Sequence, residues 1–483
     1  SSIIVQKIFW LCYYFTMRQI KQKNTAKSFQ MDMTDGPILK QMLSFALPLM
    51  CSGILQILFN AADVVVVGKF AGDSSLAAVG SNSALINLIT NLFIGLSVGA
   101  NVVVAQYYGA KQTEDVVKSV HTSICLGLIS GVFLTVIGVI GAPFFLALMQ
   151  TPPEVIEKAS LYLRIFFLGM TATMVYNFGS AVLRAVGDTK RPLYFLLGSG
   201  LLNVILNLIF VIPLKMDVVG VALATIISQM LSAFLVLRCL AKEDSIIRLD
   251  IKKLKVDSQK MRQIIRVGLP AGGQGVVFAL SNTVIQSSVN GFGAIVMAGN
   301  AAAQTVEGIV YFAMNAFYQS AISFVSQNYG AKRFDRIKRI IFCGQFCVIF
   351  AGAFCGMLLL AFGAQVLGIY SDSAEVIAAG MVRLKVILST YYLCGMMDVM
   401  VGILRGLGFS VMPMVTSLIG ACGLRLVWLA TVFQLPQFHT QKVIYLSYPV
   451  SWLITFGAHI VCYFIKARPK MRAEEKLAET NPQ

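Results

Sequence analysis

Apolar residues run along this chain in blocks of about 20 or more, the length that crosses a bilayer as a helix, with short polar turns between them. The blocks fall into two sets of six. The first set lies near 38–67, 77–107, 117–148, 156–186, 192–213 and 218–241, the second near 260–290, 297–328, 337–369, 376–407, 411–434 and 442–466. Only one long polar connection interrupts them, the charged stretch Ala241 to Arg262. The pattern predicts an all-α polytopic membrane protein of 12 transmembrane helices. Its organisation is an extension over 1–34, a six-helix bundle over 35–241, a cytoplasmic linker over 242–259, a second six-helix bundle over 260–466 and a cytoplasmic tail over 467–483.

The two sets are copies of one another. Val182-Leu183-Arg184-Ala185-Val186-Gly187, followed by Pro192, recurs 221 residues later as Ile403-Leu404-Arg405-Gly406-Leu407-Gly408, followed by Pro413. The same offset carries Val104-Ala105-Gln106-Tyr107-Tyr108-Gly109-Ala110-Lys111 onto Val325-Ser326-Gln327-Asn328-Tyr329-Gly330-Ala331-Lys332, and Glu154-Val155-Ile156 onto Glu375-Val376-Ile377. Pro48 returns as Pro270, one residue out of step. Self-similarity on this scale marks homologous halves, and in so apolar a chain it predicts a transporter built from repeats.

Composition agrees. Hydrophobic residues make up 57% and charged residues only 13%, against roughly 25% charged in soluble domains. The net charge of +17 is therefore read by location. With the amino terminus inside, the cytoplasmic connections hold Lys111, Lys118, Lys190, Arg191, Lys252, Lys253 and Lys255. They also hold the cluster Lys332 to Arg339, and the tail adds four more cations between Lys466 and Arg472. The opposite loops hold little beyond Lys69, Lys158, Lys215 and Lys442. That bias is the positive-inside rule, and it puts both termini in the cytoplasm. Six helices per half make the repeats parallel, with their pseudo-two-fold axis along the membrane normal. No soluble face gathers the charge for nucleic acid. The ten cysteines show no metal-ligand spacing and read as small core residues. Near the start, Ile8 to Phe15 is too short to span a bilayer, and 1–34 reads as a cytoplasmic extension or an upstream artefact.

An ionisable group at the bilayer centre costs about 2.5–3.5 kcal/mol on insertion scales, so each one calls for a reason. In the first helix Gln56, Asn60 and Asp63 share one face at i, i+4 and i+7. Val64 to Val67 leave the Asp63 carboxylate poorly solvated. Asp63 either packs statically with Asn60 or changes charge state to couple an ion, and the second reading is preferred. Asn203 and Asn207, on one face of the fifth helix, exchange hydrogen bonds without titrating and alone would serve as interhelical glue. The second half has a stripe of Asn300, Gln304, Glu307 and Tyr311 on the eighth helix, Asp398 in the tenth and Arg425 in the eleventh. Arg425 either neutralises Asp398 or Glu307 in a static pair or takes part in coupling or substrate binding. Arg184 and Arg405 complement helix carboxyl ends, and Pro48 and Pro270 are candidate kinks.

No GxxxxGK[ST] loop for ATP, dinucleotide fingerprint, HExxH or GxSxG occurs, so neither a cofactor nor an intramembrane enzyme is expected.

Two six-helix halves, Asp63 with Gly68 after it, paired Gln106 and Gln327 with their Tyr-Gly-Ala-Lys turns, and Leu183-Arg184-Ala185-Val186-Gly187-Asp188-Thr189 before Pro192 resemble the multidrug and toxic compound extrusion (MATE) family. The likeness runs from about Asp35 to Lys466 and points to the bacterial DinF-like branch. It implies a V-shaped pair of pseudo-symmetric bundles in the bacterial inner membrane, working as a monomer. It also implies secondary antiport, in which small cationic or amphiphilic organic compounds leave as protons or sodium ions enter. A lipid-linked oligosaccharide flippase of the same superfamily is the alternative. By this resemblance Asp63 matches the family's first-helix acid and Asn203 its fifth-helix Asn, while Asp398 lies close to, but not in clear alignment with, the tenth-helix acid. With Asn60 and Asn207 from the helix faces, Asp63 and Asn203 make the expected ion-coupling set; Gln304, Glu307, Tyr311, Asp398 and Arg425 are the substrate or ion candidates of the second half. The chain departs from the family pattern at Asn207, where several relatives carry Asp, and near Val277, where sodium-coupled relatives carry an acid.

Overall fold

A computed structural model describes residues 29–71, 73–149 and 153–480, and the early run Ile8 to Phe15 lies outside them. Among the described residues every regular element is helical. The first repeat comprises α1 (Ile38–Phe70), α2 (Asp73–Gly109), α3 (Thr113–Leu148), α4 (Pro153–Leu168), α5 (Met170–Ala185), α6 (Lys190–Val211) and α7 (Asp217–Ala241). The second comprises α8 (Ser258–Asn290), α9 (Ala294–Gly330), α10 (Phe334–Ala361), the short α11 (Gly363–Gly368), α12 (Ala374–Thr390) and α13 (Tyr392–Gly406). It continues through α14 (Val411–Ser417), α15 (Leu424–Ala430), α16 (Gln441–Cys462) and the tail helix α17 (Arg468–Thr480).

Among the described residues nine stretches are long and apolar enough to span by themselves, and two bent pairs, α4–α5 at 44° and α12–α13 at 48°, bring the count to eleven. The twelfth is α9, whose polar stripe lowers its hydropathy. It has 37 residues, as does α2, its partner at the 221-residue offset. The fourth and tenth spans, expected as single helices, are thus each broken, at Gly169 and Tyr391. A π-helical stretch, Leu418–Gly423, joins α14 to α15 within the eleventh span. Pro48 and Pro270 lie inside α1 and α8, which continue through them.

The repeated sequence motifs are helix stops. At the end of α5, Asp188 N donates to Leu183 O at 2.9 Å and Gly187 N to Arg184 O at 3.0 Å, the two bonds of a Schellman cap. At the end of α13, Phe409 N donates to Leu404 O at 2.9 Å and Gly408 N to Arg405 O at 2.8 Å. Gly187 and Gly408 take the left-handed conformation this requires, φ +89° and +86°. The Tyr-Gly-Ala-Lys turns do the same with the lysine: Lys111 and Lys332 both stand at φ +55°. An added methyl at Gly187 would also meet Met31 O at 2.6 Å. Gly187→Ala is therefore expected to cost at least about 1–2 kcal/mol, read as a lower melting temperature of the detergent-solubilised protein.

The chain forms two compact units. The first holds Cys51–Leu269 and the described residues up to Asp32; the second holds Met33–Met50 and everything described from Pro270 onward. The start of α1 thus counts with the second unit and the start of α8 with the first, unlike the divisions 35–241 and 260–466 expected from the apolar blocks. Segment 29–34 is also not a loose extension. In the first unit Met31 N donates to Val186 O at 3.1 Å, and Gln30 Nε2 reaches Glu243 and Ser245. In the second, Met33 is fully buried and its N–H donates to Gln327 Oε1 at 3.2 Å.

Inside the first unit one core gathers Val120, Phe195, Leu235, Leu240 and the linker residues Ile247 and Leu249, and another Val67, Leu146, Phe167 and Met174. Helices α2 and α8 come so close at Gly99 and Gly268 that a methyl on Gly99 would lie 2.2 Å from Ile264 O, the small-residue contact of membrane helices. Large apolar side chains such as Ile129, Ile140, Phe342 and Phe350 are exposed, as a hydrocarbon solvent permits.

Candidate functional site

The polar centre of the first unit is small. Asp63 projects from α1, and one turn apart on α6 stand Asn207, fully buried, and Asn203, 6% exposed. Asn207 Nδ2 donates to Asp63 Oδ1 and also lies 3.4 Å from Asn203 Oδ1. Asn203 Nδ2 in turn lies 3.4 Å from Thr225 Oγ1 on α7. The periodicity that put Asn203 and Asn207 on one face therefore joins them in one network, in which Asn207 contacts Asp63 and Asn203 contacts Asn207. Asn60 does not join them: it is exposed on α1 and makes no hydrogen bond to Asp63. Thr225 was not anticipated, since a lone threonine in an apolar helix carries no signal. Asn207 Oδ1 is buried without a partner among the described residues.

The second unit has a larger polar centre built on α9. Glu307, 5% exposed, is clamped by Arg383 from α12, with Nε to Oε1 and Nη2 to Oε2 both at 2.8 Å. The third side of the guanidinium donates from Nη1 to Asn300 Oδ1 at 2.9 Å, which also receives Tyr445 OH at 3.2 Å. Gln286 Oε1 on α8 accepts from Asn300 Nδ2 at 2.7 Å and from Gln304 Nε2 at 3.3 Å. A bidentate carboxylate–guanidinium pair in which all three guanidinium nitrogens donate is a strong contact. It corrects one expectation: the partner of Glu307 is Arg383, not Arg425. The signal for Arg383 was present, a cation inside the apolar run 376–407.

Arg425, 2% exposed, instead donates from Nε to Ser451 Oγ at 2.8 Å and lies 4.2 Å from the Tyr448 ring centre and 5.6 Å from that of Trp452. Asp398 on α13 forms no ion pair among the described residues, and Arg405 and Arg425 act on it only through space. Tyr311 is 37% exposed on α9 and lies within electrostatic reach of Asp398. Arg405, at its helix end, donates to Tyr318 OH and, at 2.7 Å, to Gln274 Oε1.

The profile of the MatE family matches residues 48–209 and then, a second time, residues 270–431. The chain belongs to the MatE family. Among its relatives is the probable multidrug resistance protein YoeA of Bacillus subtilis, 28% identical over 431 residues, covering 86% of this chain and 92% of YoeA. The probable multidrug resistance protein NorM of Thermotoga maritima is 24% identical, covering 80% and 84% of the two chains. Among solved structures, the outward-facing conformation of a multidrug resistance MATE family transporter of the MOP superfamily superposes with a TM-score of 0.84 at 20% identity, covering 92% of this chain and 98% of that one. The fold is thus that of a multi-pass MATE transporter.

Within this MatE chain the repeats share their scaffold but not their chemistry. Aligning Pro48 with Pro270 puts Ile285 opposite Asp63, and the 221-residue offset puts Ile86 opposite Glu307 and Tyr162 opposite Arg383. Position 162 nevertheless faces the polar centre of its own unit, since Tyr162 lies within electrostatic reach of Asp63. The second unit neutralises Glu307 with an arginine, whereas the first leaves Asp63 with the amide of Asn207. Asp63 has no cation in contact among the described residues; in the second unit Asp398 shares that lack of an ion pair, but Arg405 and Arg425 act on it through space.

Proposed function

We propose that the protein exports small cationic or amphiphilic organic compounds from a bacterial cell, across the inner membrane, in exchange for protons or sodium ions, with Asp63 as the coupling group. The observation that carries this reading is the contact set of Asp63: a carboxylate inside an apolar span, held by Asn207 Nδ2 with no cation in contact among the described residues. An amide serves both states of such a group. Its N–H donates to the carboxylate, and its oxygen, left without a partner at Asn207, can accept from a protonated acid or help hold a sodium ion. A cationic substrate and the coupling ion then compete for one local negative charge, which is how an ion gradient drives export. The relatives named as multidrug resistance proteins support the same substrate class.

The flippase alternative needs a strongly basic centre to hold a pyrophosphate. Of the buried arginines described in the second unit, Arg383 is neutralised by Glu307, and Arg336 and Arg405 are engaged by backbone carbonyls and by Tyr318 and Gln274, which leaves Arg425. Inverted vesicles loaded with a fluorescent organic cation test the proposal. Uphill dye movement is expected under one imposed gradient, proton or sodium, and not under the other. No dye movement under either would reject it.

The orientation carries its own prediction. With both termini cytoplasmic, Lys69→Cys and Lys215→Cys should react with an impermeant thiol reagent added to whole cells, and Lys111→Cys and Lys332→Cys only after permeabilisation. Equal reaction at positions 69 and 111 from one side would refute the parallel-repeat topology.

A further inference from the structure

At the face of the first unit where α3 begins, α7 ends and α8 begins, the linker 242–257 folds into the wall of a cleft of about 1010 Å³. That is large enough for a small ligand or a lipid headgroup. The wall is built rather than loose. Ile247 and Leu249 are buried in the core of the unit, and Leu249 N donates to Leu240 O at 3.0 Å. Asp250 N donates to His121 Nε2 at 3.3 Å, so the ring carries its proton on Nδ1 and donates to Val117 O at 2.8 Å. Asp250 Oδ1 then caps the turn Ile251–Lys253 by accepting from Lys252 N. At the far end Asp257 N donates to Thr122 Oγ1 at 3.0 Å, and its carboxylate caps α8 by accepting from Lys260 N at 2.9 Å.

The cleft is lined by Lys118, Arg248, Lys252, Lys253 and Lys255 against two carboxylates, Asp250 and Asp257. Lys118 is taken up by Glu114 at 2.6 Å and Lys253 by Asp250 at 3.7 Å. Arg248, Lys252 and Lys255 have no carboxylate within ion-pair distance among the described residues. Three unneutralised cations thus line one concave wall fixed to the bundle. Beside them Ile251 is 56% exposed, an apolar side chain at the rim of a basic turn, as at a membrane surface.

We propose that this cleft is a binding site for a phosphate-bearing anion, and that its source is the headgroup of an anionic phospholipid in the adjoining leaflet. The site is independent of the transport reading. Juxtamembrane cations attract anionic lipid surfaces, each contributing a roughly similar increment; the linker gives them a shaped receptor.

Native mass spectrometry of the full chain in a neutral detergent tests it, with dioleoylphosphatidylglycerol, dioleoylphosphatidylcholine and soluble inorganic pyrophosphate as probes. The wild type should retain phosphatidylglycerol in preference to phosphatidylcholine. The triple variant Arg248→Gln, Lys252→Gln, Lys255→Gln should bind it on the order of 100-fold more weakly at low salt. The double variant Lys252→Gln, Lys255→Gln, which disturbs the wall least, should lose part of that. A control that removes equal charge elsewhere, Lys332→Gln, Lys338→Gln, Arg339→Gln, should bind as the wild type does. Equal losses in the linker triple and the control would mean general attraction to a basic chain and would overturn the site. Retention of pyrophosphate by the wild type but not the triple, with no preference between the two lipids, would keep the site and assign it to a soluble phosphate compound.

Discussion

Asp63→Asn should abolish uphill efflux under either gradient while leaving the protein folded. The side chain keeps its size, and the oxygen of the new amide can take the Asn207 Nδ2–H now given to the carboxylate. The local hydrogen bond survives, and stability should change by no more than about 1 kcal/mol. What disappears is the change of charge. An ion that binds two conformations equally shifts nothing between them, and an amide binds no proton and attracts a sodium ion far less than a carboxylate does. Coupling therefore falls to zero rather than by a factor. Residual downhill movement of dye is compatible with this, because the apolar walls are untouched. Asp63→Glu retains a titratable group one methylene further out and should keep part of the activity. The measurement is gradient-driven dye accumulation in inverted vesicles, with melting temperature as the folding control. Full uphill efflux by Asp63→Asn would move the coupling site to Asp398 or Glu307.

The reach of sequence reasoning differed by kind of feature. Long apolar blocks and a 221-residue offset were enough for the fold, because span length is fixed by the bilayer and the repeat fixes where helices end. The recurring Leu-Arg-x-x-Gly motif became two Schellman caps at Gly187 and Gly408. That lysine, not a glycine, is the left-handed residue at Lys111 and Lys332 was not legible, because lysine carries no turn signal of its own. Asn203 and Asn207 were legible as one face by helical spacing, and that face is the one turned to Asp63. Pairings between helices were a different matter. Glu307 and Arg383 are 76 residues apart, and no periodicity within one helix says which of several buried charges across the bundle will meet. The assignment of the first turns of α1 and α8 to opposite units was hidden for the same reason: an apolar helix reads alike whichever bundle it packs against.

Breaking the Glu307–Arg383 pair should be the most damaging single charge change in the second unit. Both groups are about 95% buried or more, and each satisfies the other through two 2.8 Å bonds. Glu307→Gln leaves the guanidinium charge uncompensated in an apolar interior, with the new amide oxygen and Asn300 as its hydrogen-bond acceptors, and Arg383→Gln leaves the carboxylate charge uncompensated. Removal of one partner from a buried pair costs about 3–5 kcal/mol, whereas loss of both partners together is often close to neutral. The double variant Glu307→Gln, Arg383→Gln should therefore recover most of the melting temperature lost by either single variant. The two amides can bond to each other and to Asn300 in the space the pair occupied. If coupling resides at Asp63, the double variant should also recover gradient-driven dye efflux, because a neutral pair has been exchanged for a neutral pair. A double variant that folds with wild-type stability and does not transport would show instead that the charges of Glu307 and Arg383 act on the substrate or the ion. Arg425→Gln provides the contrast. It strands no contacting carboxylate, loses one bond to Ser451 and the stacking on Tyr448, and should cost less than either member of the pair.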